Sequence, residues 1–499
     1  MTAPGGPGGP GGLGGSGGLG GSGELGGSGR ALEGRRPNTF RLPPPPEKNP
    51  TGWQVVGLVL MLMAVGFLGA MWLGAGKPVG VALVEVPLLL LLTAPLIVTA
   101  ARTERRFDLA GLLVTGFALR LFGCYYRFTH AADAATYHNT GSMLARSFRG
   151  LNFNVDPGGQ VPGTGGMKII TGIAEVFTNS NAFATFLLFT WLGFIGCYLF
   201  YRAFVIAMPD ADHHRYALLI FLWPTLVLWP SSIGKDCWLL FTLGIASVGA
   251  ARVLARRRGG YSLLAIGLLA GSFVRPHVSL LFVVAFAIAL LVGRRQSRPD
   301  ALTAGTIGKI AGLLVVLLLG AVLATRTADF LNANDINGVD SAITGVNSRT
   351  TQGGSAFVPA DPTNPVGYAK AAVTVLFRPF PFEAHGFESI ATSAEALFLF
   401  ALVCFSFARL RSIPRRLRSD PYVTLALGYI LAFIFAFGTI GNFGILARER
   451  SQVMPYIFVL LALPKAAKLD WSWRLKREAG PSASLPQRSP ALRPRPQPR

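Results

Sequence analysis

YSLLAIGLLAGSFVRPHVSLLFVVAFAIALLVG, residues 261–293, is the stretch whose reading decides the architecture. It is too long for one membrane helix, yet each half falls short of the roughly 20 residues that a full span needs. Pro276 sits at its middle, where a missing N–H and a bulky ring stop a helix. Read as a hairpin turning at Arg275-Pro276-His277, the segment leaves the flanking clusters ARRRGG (255–260) and RRQSR (294–298) on one side of a membrane. Read as one span, it would split them across the bilayer, against the tendency of Lys and Arg to stay on the cytoplasmic side. The hairpin reading therefore sets the parity of the whole chain.

Working outward, apolar stretches recur from residue 53 to 464, at 53–75, 79–101, 109–126, 181–204, 215–230, 237–254, 261–274, 278–293, 306–325, 392–410, 422–440 and 452–464. The expected fold is all-α: a polytopic integral membrane helical bundle of about twelve transmembrane helices. With the N-terminus inside, ARTERR (101–106) and RLRSIPRRLR (409–418) fall on the same side as the two clusters above. Composition agrees, since 51% of the 499 residues are hydrophobic, only 14% are charged, and the mean hydropathy is +0.46. A soluble domain of this size does not show that balance.

The formal net charge of +22 would suit a nucleic-acid binder. Its placement excludes that reading, because most of the excess lies in the tails and in alternate loops of one side, while the other side is near neutrality. The charge thus orients the chain and attracts anionic lipid, leaving no basic face to follow a phosphate backbone. The four cysteines, Cys124, Cys197, Cys237 and Cys404, fall in apolar runs without C-x-x-C spacing. Neither disulfides nor zinc are expected of them.

Three regions follow. Residues 1–52 form a Gly/Pro-rich cytoplasmic tail: its Gly/Ser/Pro tract, up to about residue 29, buries too little apolar surface to offset ordering, and PPPP at 43–46 adds a stiff spacer. Residues 53–464 are the membrane domain, and 465–499 are a basic cytoplasmic tail. No cleavable signal pattern precedes the first span, so that span is expected to be retained. Two long outer loops, 127–180 and 326–391, interrupt the bundle, and they are too rich in aromatic and apolar residues for simple disorder. In the first, Tyr137, Leu144 and Phe148 recur at helical spacing, which predicts a helix lying in the interface. GMKIITGIAEVF, up to Phe177, predicts a second interfacial helix or a re-entrant one.

The chemistry-bearing residues gather at that outer face. Asp133, within HAADAATYHNTG, opens the first interfacial helix, where a carboxylate could take a proton from an attacking hydroxyl. A plain helix N-cap is the competing reading. WPSSIGKDCW (229–238) puts Lys235 and Asp236 at the outer start of a span, where free backbone N–H groups attract an anion. A capping serine with a local Lys–Asp pair is the alternative. Arg275 and His277 line the recessed hairpin turn. Arg448 and Arg450, in GNFGILARERSQ (441–452), add cations to the same face, and the planar guanidinium fork suits phosphate oxygens. In the second loop, Arg349 lies in NSRTTQGGSAF and Arg378 in LFRPFPFEAHG, with Gly353 and Gly354 able to hinge a lid. The alternatives are snorkelling arginines at helix ends and an ordinary surface loop. Arg120, deeper within the third span, and Glu395, near the outer end of the tenth, are each candidate members of a structural ion pair. No compact group of carboxylates or histidines has metal-ligand spacing, which leaves the sequence silent on metal use: no cofactor is expected beyond a lipid-linked sugar donor, and a divalent metal is not excluded.

An acidic residue at the head of a long outer loop (Asp133 in DAATY), interfacial helices after it and outer cations resemble the GT-C superfamily of polytopic glycosyltransferases. That resemblance implies transfer of a sugar from a polyprenyl-phosphate-linked donor to a glycan or glycoconjugate acceptor on the non-cytoplasmic side of the plasma membrane. It also implies that Asp133 acts as the base. The chain is similar, too, to polymerases of lipid-linked oligosaccharide repeat units, in which Arg275 and Arg349 would matter more than Asp133. A transporter or flippase without chemistry is the third expectation. It would place charges near the midplane of two related halves.

Overall fold

The computed structural model describes residues 51–75, 80–104, 106–292, 302–331 and 356–464, and among these the chain is helical throughout, with no strand beyond one isolated bridge between Ala356 and Asn442. The Gly-rich tract, the PPPP spacer, the basic C-terminal tail, and Arg349, Gly353 and Gly354 lie outside the described residues.

The N-terminal half runs α1 (Thr51–Ala75), α2 (Ala82–Thr103), α3 (Leu109–His130), α4 (Ala132–Arg149), α5 (Thr164–Phe177), α6 (Ala182–Ala207), α7 (His213–Leu222), α8 (Pro224–Leu228) and α9 (Lys235–Leu254). The rest runs α10 (Gly260–Ser272), α11 (Pro276–Val292), α12 (Leu302–Leu331), α13 (Pro365–Phe377), α14 (Phe387–Phe405), α15 (Phe407–Leu410), α16 (Ile413–Ser419), α17 (Pro421–Phe437), α18 (Phe443–Glu449) and α19 (Met454–Leu461). Short 3₁₀ turns lie at Pro381–Glu383 and Arg450–Gln452.

A helix stands at each of the expected spans, but six among the described residues are long and apolar enough to cross a membrane unaided: α1, α2, α3, α6, α9 and α14. The count is seven if α16 and α17 are taken as one span, yet they meet at 117°, so the basic α16 turns away from α17. The shortfall from twelve has local causes. Pro224 breaks the expected 215–230 helix into α7 and α8, and Pro276 starts α11 afresh, leaving α10 and α11 at 13 and 17 residues. Apolar side chains point outward on the peripheral helices, as Leu58 and Leu62 of α1, Leu91 of α2 and Phe405 of α14 do. Such faces need an apolar surrounding, and the architecture is that of a multi-pass membrane protein.

Inside, α9 packs between α6 and α10 through small residues. A Cβ at Gly196 of α6 would stand 2.8 Å from the Leu240 carbonyl, so only glycine lets these two helices approach. Beyond α9 the core is aromatic: the Tyr429 and Tyr456 rings meet tilted at 4.4 Å, and Phe433 and Phe437 stack at 4.1 Å.

Arg120 and Glu395 are not partners in an ion pair. Both serve the break between α7 and α8. The fully buried Arg120 guanidinium donates to the carbonyls of Phe221 (3.0 Å) and Leu226 (3.2 Å), which the interrupted helix leaves without amides. From the other side, Glu395 accepts from Trp223 Nε1 (2.5 Å), from the Thr225 amide (2.8 Å) and from the Thr225 hydroxyl. Proline created the break, and two buried charged side chains supply its missing hydrogen bonds.

Candidate functional site

α4 and α5 hold the rim of the site. Tyr137, Leu144 and Phe148 are the buried face of α4, as their spacing predicts, and they pack on α5. The two helices cross where glycine faces glycine: a Cβ on Gly172 would meet Leu144 at 2.9 Å, and one on Gly141 would meet Thr171 at 2.8 Å. Behind them, His138 contacts the buried Glu175 at 2.7 Å, and Lys168 donates to the Gly158 carbonyl.

Asp133 lies in the first turn of α4, whose N-cap is Ala131 and makes no side-chain cap. Its carboxylate is therefore not a cap. It accepts from Arg448 Nη1 at 2.9 Å, with the Asp133 side chain 63% exposed. Arg448 also donates through Nε to Asp236 at 2.5 Å, and that carboxylate is only 4% exposed. One guanidinium fork thus joins two acids that stand 103 positions apart in the chain. The Asp236 carboxylate in particular, and then Asp133, raise the Arg448 pKa above its ordinary value. The second oxygen of Asp236, Oδ1, is buried without a hydrogen-bond partner. Burial, with Asp133 next, pushes the Tyr137 hydroxyl up.

Lys235, beside Asp236, donates to Thr164 Oγ1 at the start of α5 (3.1 Å). The helix it opens has Gly234 as its N-cap and no side-chain cap, so the serine-cap alternative does not hold. Ser231 and Ser232 turn back to the carbonyls of Val227 and Trp229.

Arg275, in the turn between α10 and α11, is ion-paired with Glu449, which also accepts from Gln452 Nε2 at 2.5 Å. Burial lowers the Arg275 pKa to about 10, opposed by the attraction of Asp236. It remains charged at neutral pH. His277 packs its ring against Phe330 (5.4 Å) and Phe437 (6.1 Å), and its Nδ1 is buried without a partner.

Two expected phosphate ligands are engaged elsewhere. Arg450, 1% exposed, donates to the carbonyls of Val375 (2.9 Å) and Arg378 at the end of α13, where it closes a helix C-terminus. Burial lowers its pKa to about 10. Arg378 grips Glu383 with Nε at 3.0 and 3.1 Å and Nη2 at 2.5 Å, and it lies over the rings of Phe357 (4.7 Å) and Phe443 (4.8 Å). Arg349 lies outside the described residues.

Sequence reading passed over three members of the cluster. Arg127, in the last turn of α3, is buried over the Trp229 ring at 4.7 Å and has no carboxylate within salt-bridge distance among the described residues. Its signal was available: an arginine closing an apolar span just before the Asp133 loop. Glu449 was overlooked between two conspicuous arginines, and Thr164 carries no signal at all.

The outcome is a set of four cations, Arg127, Lys235, Arg275 and Arg448, set against Asp133, Asp236 and Glu449. Two of the cations are committed to carboxylates, while Arg127 and Lys235 are not. Among the described residues no group of three or more His, Cys, Asp or Glu stands close enough to hold a metal ion. Comparison of the chain with protein-family models, with curated proteins and with solved structures found no match.

Proposed function

We propose that the chain is a multi-pass membrane glycosyltransferase that moves a sugar from a polyprenyl-phosphate carrier to a cell-envelope glycan or glycoconjugate. The observation that carries this reading is the bridge from Arg448 to both Asp133 and Asp236. It fixes an otherwise exposed carboxylate at the rim of a cluster whose remaining cations, Lys235 and Arg127, have no carboxylate partner among the described residues. In this reading the chain makes about twelve passages through the plasma membrane, with both termini cytoplasmic. The helices at every apolar stretch and the one-sided basic clusters support that arrangement.

The chemistry follows from the geometry. Asp133 Oδ1, which Arg448 does not hold, takes the proton of the acceptor hydroxyl as that oxygen forms its bond to the anomeric carbon. The bond from that carbon to the carrier phosphate breaks on the opposite face, so the configuration inverts. The phosphate departs with the electron pair, and Lys235 and Arg127 stabilise its developing charge. Arg448 keeps Asp133 oriented.

Membranes containing the full chain, supplied with a radiolabelled polyprenyl-phosphate sugar and a glycan acceptor, should move label into the glycan, and Asp133→Asn should stop that transfer. Label that crosses the bilayer still attached to its carrier would instead indicate transport. Transfer that survives Asp133→Asn but not Arg275→Ala would favour a repeat-unit polymerase.

A further inference from the structure

Away from the charged cluster, α13 and the loop before it wall a groove of about 710 Å³, within the size range of small-molecule sites. Its lining includes Val358, Val366, Val373, Lys370 and Phe382. Val358, Val366 and Phe382 are 90%, 67% and 80% exposed, a concentration of bare apolar surface that water does not favour. The groove lies at the level of the apolar bundle. Tyr368 of α13 donates to the Leu431 carbonyl at 2.8 Å, well inside α17, and Leu431 and Phe435 on that helix present outward apolar faces. The neighbouring surface of α14 is likewise apolar, with Leu397, Phe398 and Phe400 exposed.

Charge selects the occupant. Arg378, at one end of the groove, is neutralised by Glu383, whereas Lys370 is exposed and makes no ion pair among the described residues. A lone ammonium set in an apolar helix beside the apolar faces of α14 and α17, one turn from Val366 and Val373, calls for a phosphate with hydrocarbon attached.

We propose that this groove binds one anionic phospholipid, with its headgroup phosphate on Lys370 and an acyl chain along Val358, Val366 and Phe382. The site is independent of the transfer reaction. It is joined to the charged cluster through the backbone, because Arg450 holds the end of α13 while its neighbours Arg448 and Glu449 face Asp133 and Arg275.

Native mass spectrometry of the full chain, released from non-ionic detergent after titration with palmitoyl-oleoyl-phosphatidylglycerol or the matching phosphatidylcholine, tests the proposal. The wild type should retain one phosphatidylglycerol about fivefold more strongly than phosphatidylcholine, the effect of one lysine near an anionic headgroup. Lys370→Ala should bring the two lipids to parity, Lys370→Arg should keep the preference, and Phe382→Ala should weaken both. Equal retention of the two lipids by the wild type would overturn the proposal. So would a preference that persists in Lys370→Ala, or one lost equally in Lys370→Arg. Displacement of the bound lipid by glycerol 3-phosphate, which carries the phosphate without chains, would reduce the groove to a simple anion site and overturn it as well.

Discussion

Arg448 and Asp133, 315 residues apart in the chain, meet at 2.9 Å, and the same guanidinium holds Asp236 at 2.5 Å through its Nε. The contact ties the segment Phe443–Gln452 to the first turn of α4 and to the first turn of α9. An exposed acid is thereby oriented by a cation that a buried acid holds in place.

Asp133→Asn separates chemistry from architecture. The side chain is largely exposed, and ion pairs of that kind contribute at most about 1 kcal/mol, so thermal unfolding in detergent should be little changed. Transfer from a polyprenyl-phosphate sugar should fall about a hundred- to ten-thousand-fold, the range of a general base. A variant with wild-type turnover would remove Asp133 from the mechanism.

Arg448→Ala should do the reverse and damage both. It leaves Asp236 as a buried charge with no partner, which costs about 3 kcal/mol or more. Adding Asp236→Asn to Arg448→Ala should recover part of the lost stability, because the stranded charge is gone, while transfer stays low. A lack of such coupling in a double-mutant cycle of unfolding free energies would contradict the bridge.

Glu449→Gln strands Arg275 in the same way, and its loss of about 3 kcal/mol near pH 6 should ease as pH rises. The sign follows from Arg275 being a base whose folded pKa, about 10, lies below its ordinary value. Losing the Glu449 carboxylate lowers it further, so the folded variant releases the proton at a lower pH than wild type, and the penalty for burying the charge shrinks as pH rises toward 10. Unfolding curves of Glu449→Gln should therefore show a smaller deficit relative to wild type at pH 9 than at pH 6.

Arg450→Lys tests a helix end. A lysine amine lacks the fork that reaches the carbonyls of both Val375 and Arg378, so one buried acceptor is left bare at a cost of about 2 kcal/mol. Hydrogen exchange should show faster opening of α13.

Gly172→Ala places a methyl 2.9 Å from Leu144 and should cost about 1–3 kcal/mol by overpacking. Because α5 carries α4, transfer should fall as well, although no residue of the charged cluster is altered.

Much of the fold was legible one segment at a time. Apolar runs predict where helices stand, and the i, i+7, i+11 spacing of Tyr137, Leu144 and Phe148 predicts the buried face of α4, because helical periodicity is a local property. The number of membrane passages was less legible: Pro224 and Pro276 shorten helices that composition alone would extend, and α16 turns through 117°. For the site, the outer face and most of its ionisable groups could be named from sequence, but their partners could not. Arg450 and Arg378 carry the same guanidinium as Arg448 and stand within the same two regions, yet one closes a helix and the other grips Glu383.

By itself, then, the sequence determined the helical class, the apolar segments, the clustering of basic residues and the roster of ionisable residues between the apolar segments, since each depends on composition or on spacing within a few turns. The tertiary structure alone decided which cation meets which acid: that Arg448 spans Asp133 and Asp236, that Glu449 takes Arg275, and that Arg127 and Lys235 have no carboxylate partner among the described residues. Coulomb attraction and hydrogen bonding act over a few ångströms, and those distances exist only after segments hundreds of residues apart have packed together.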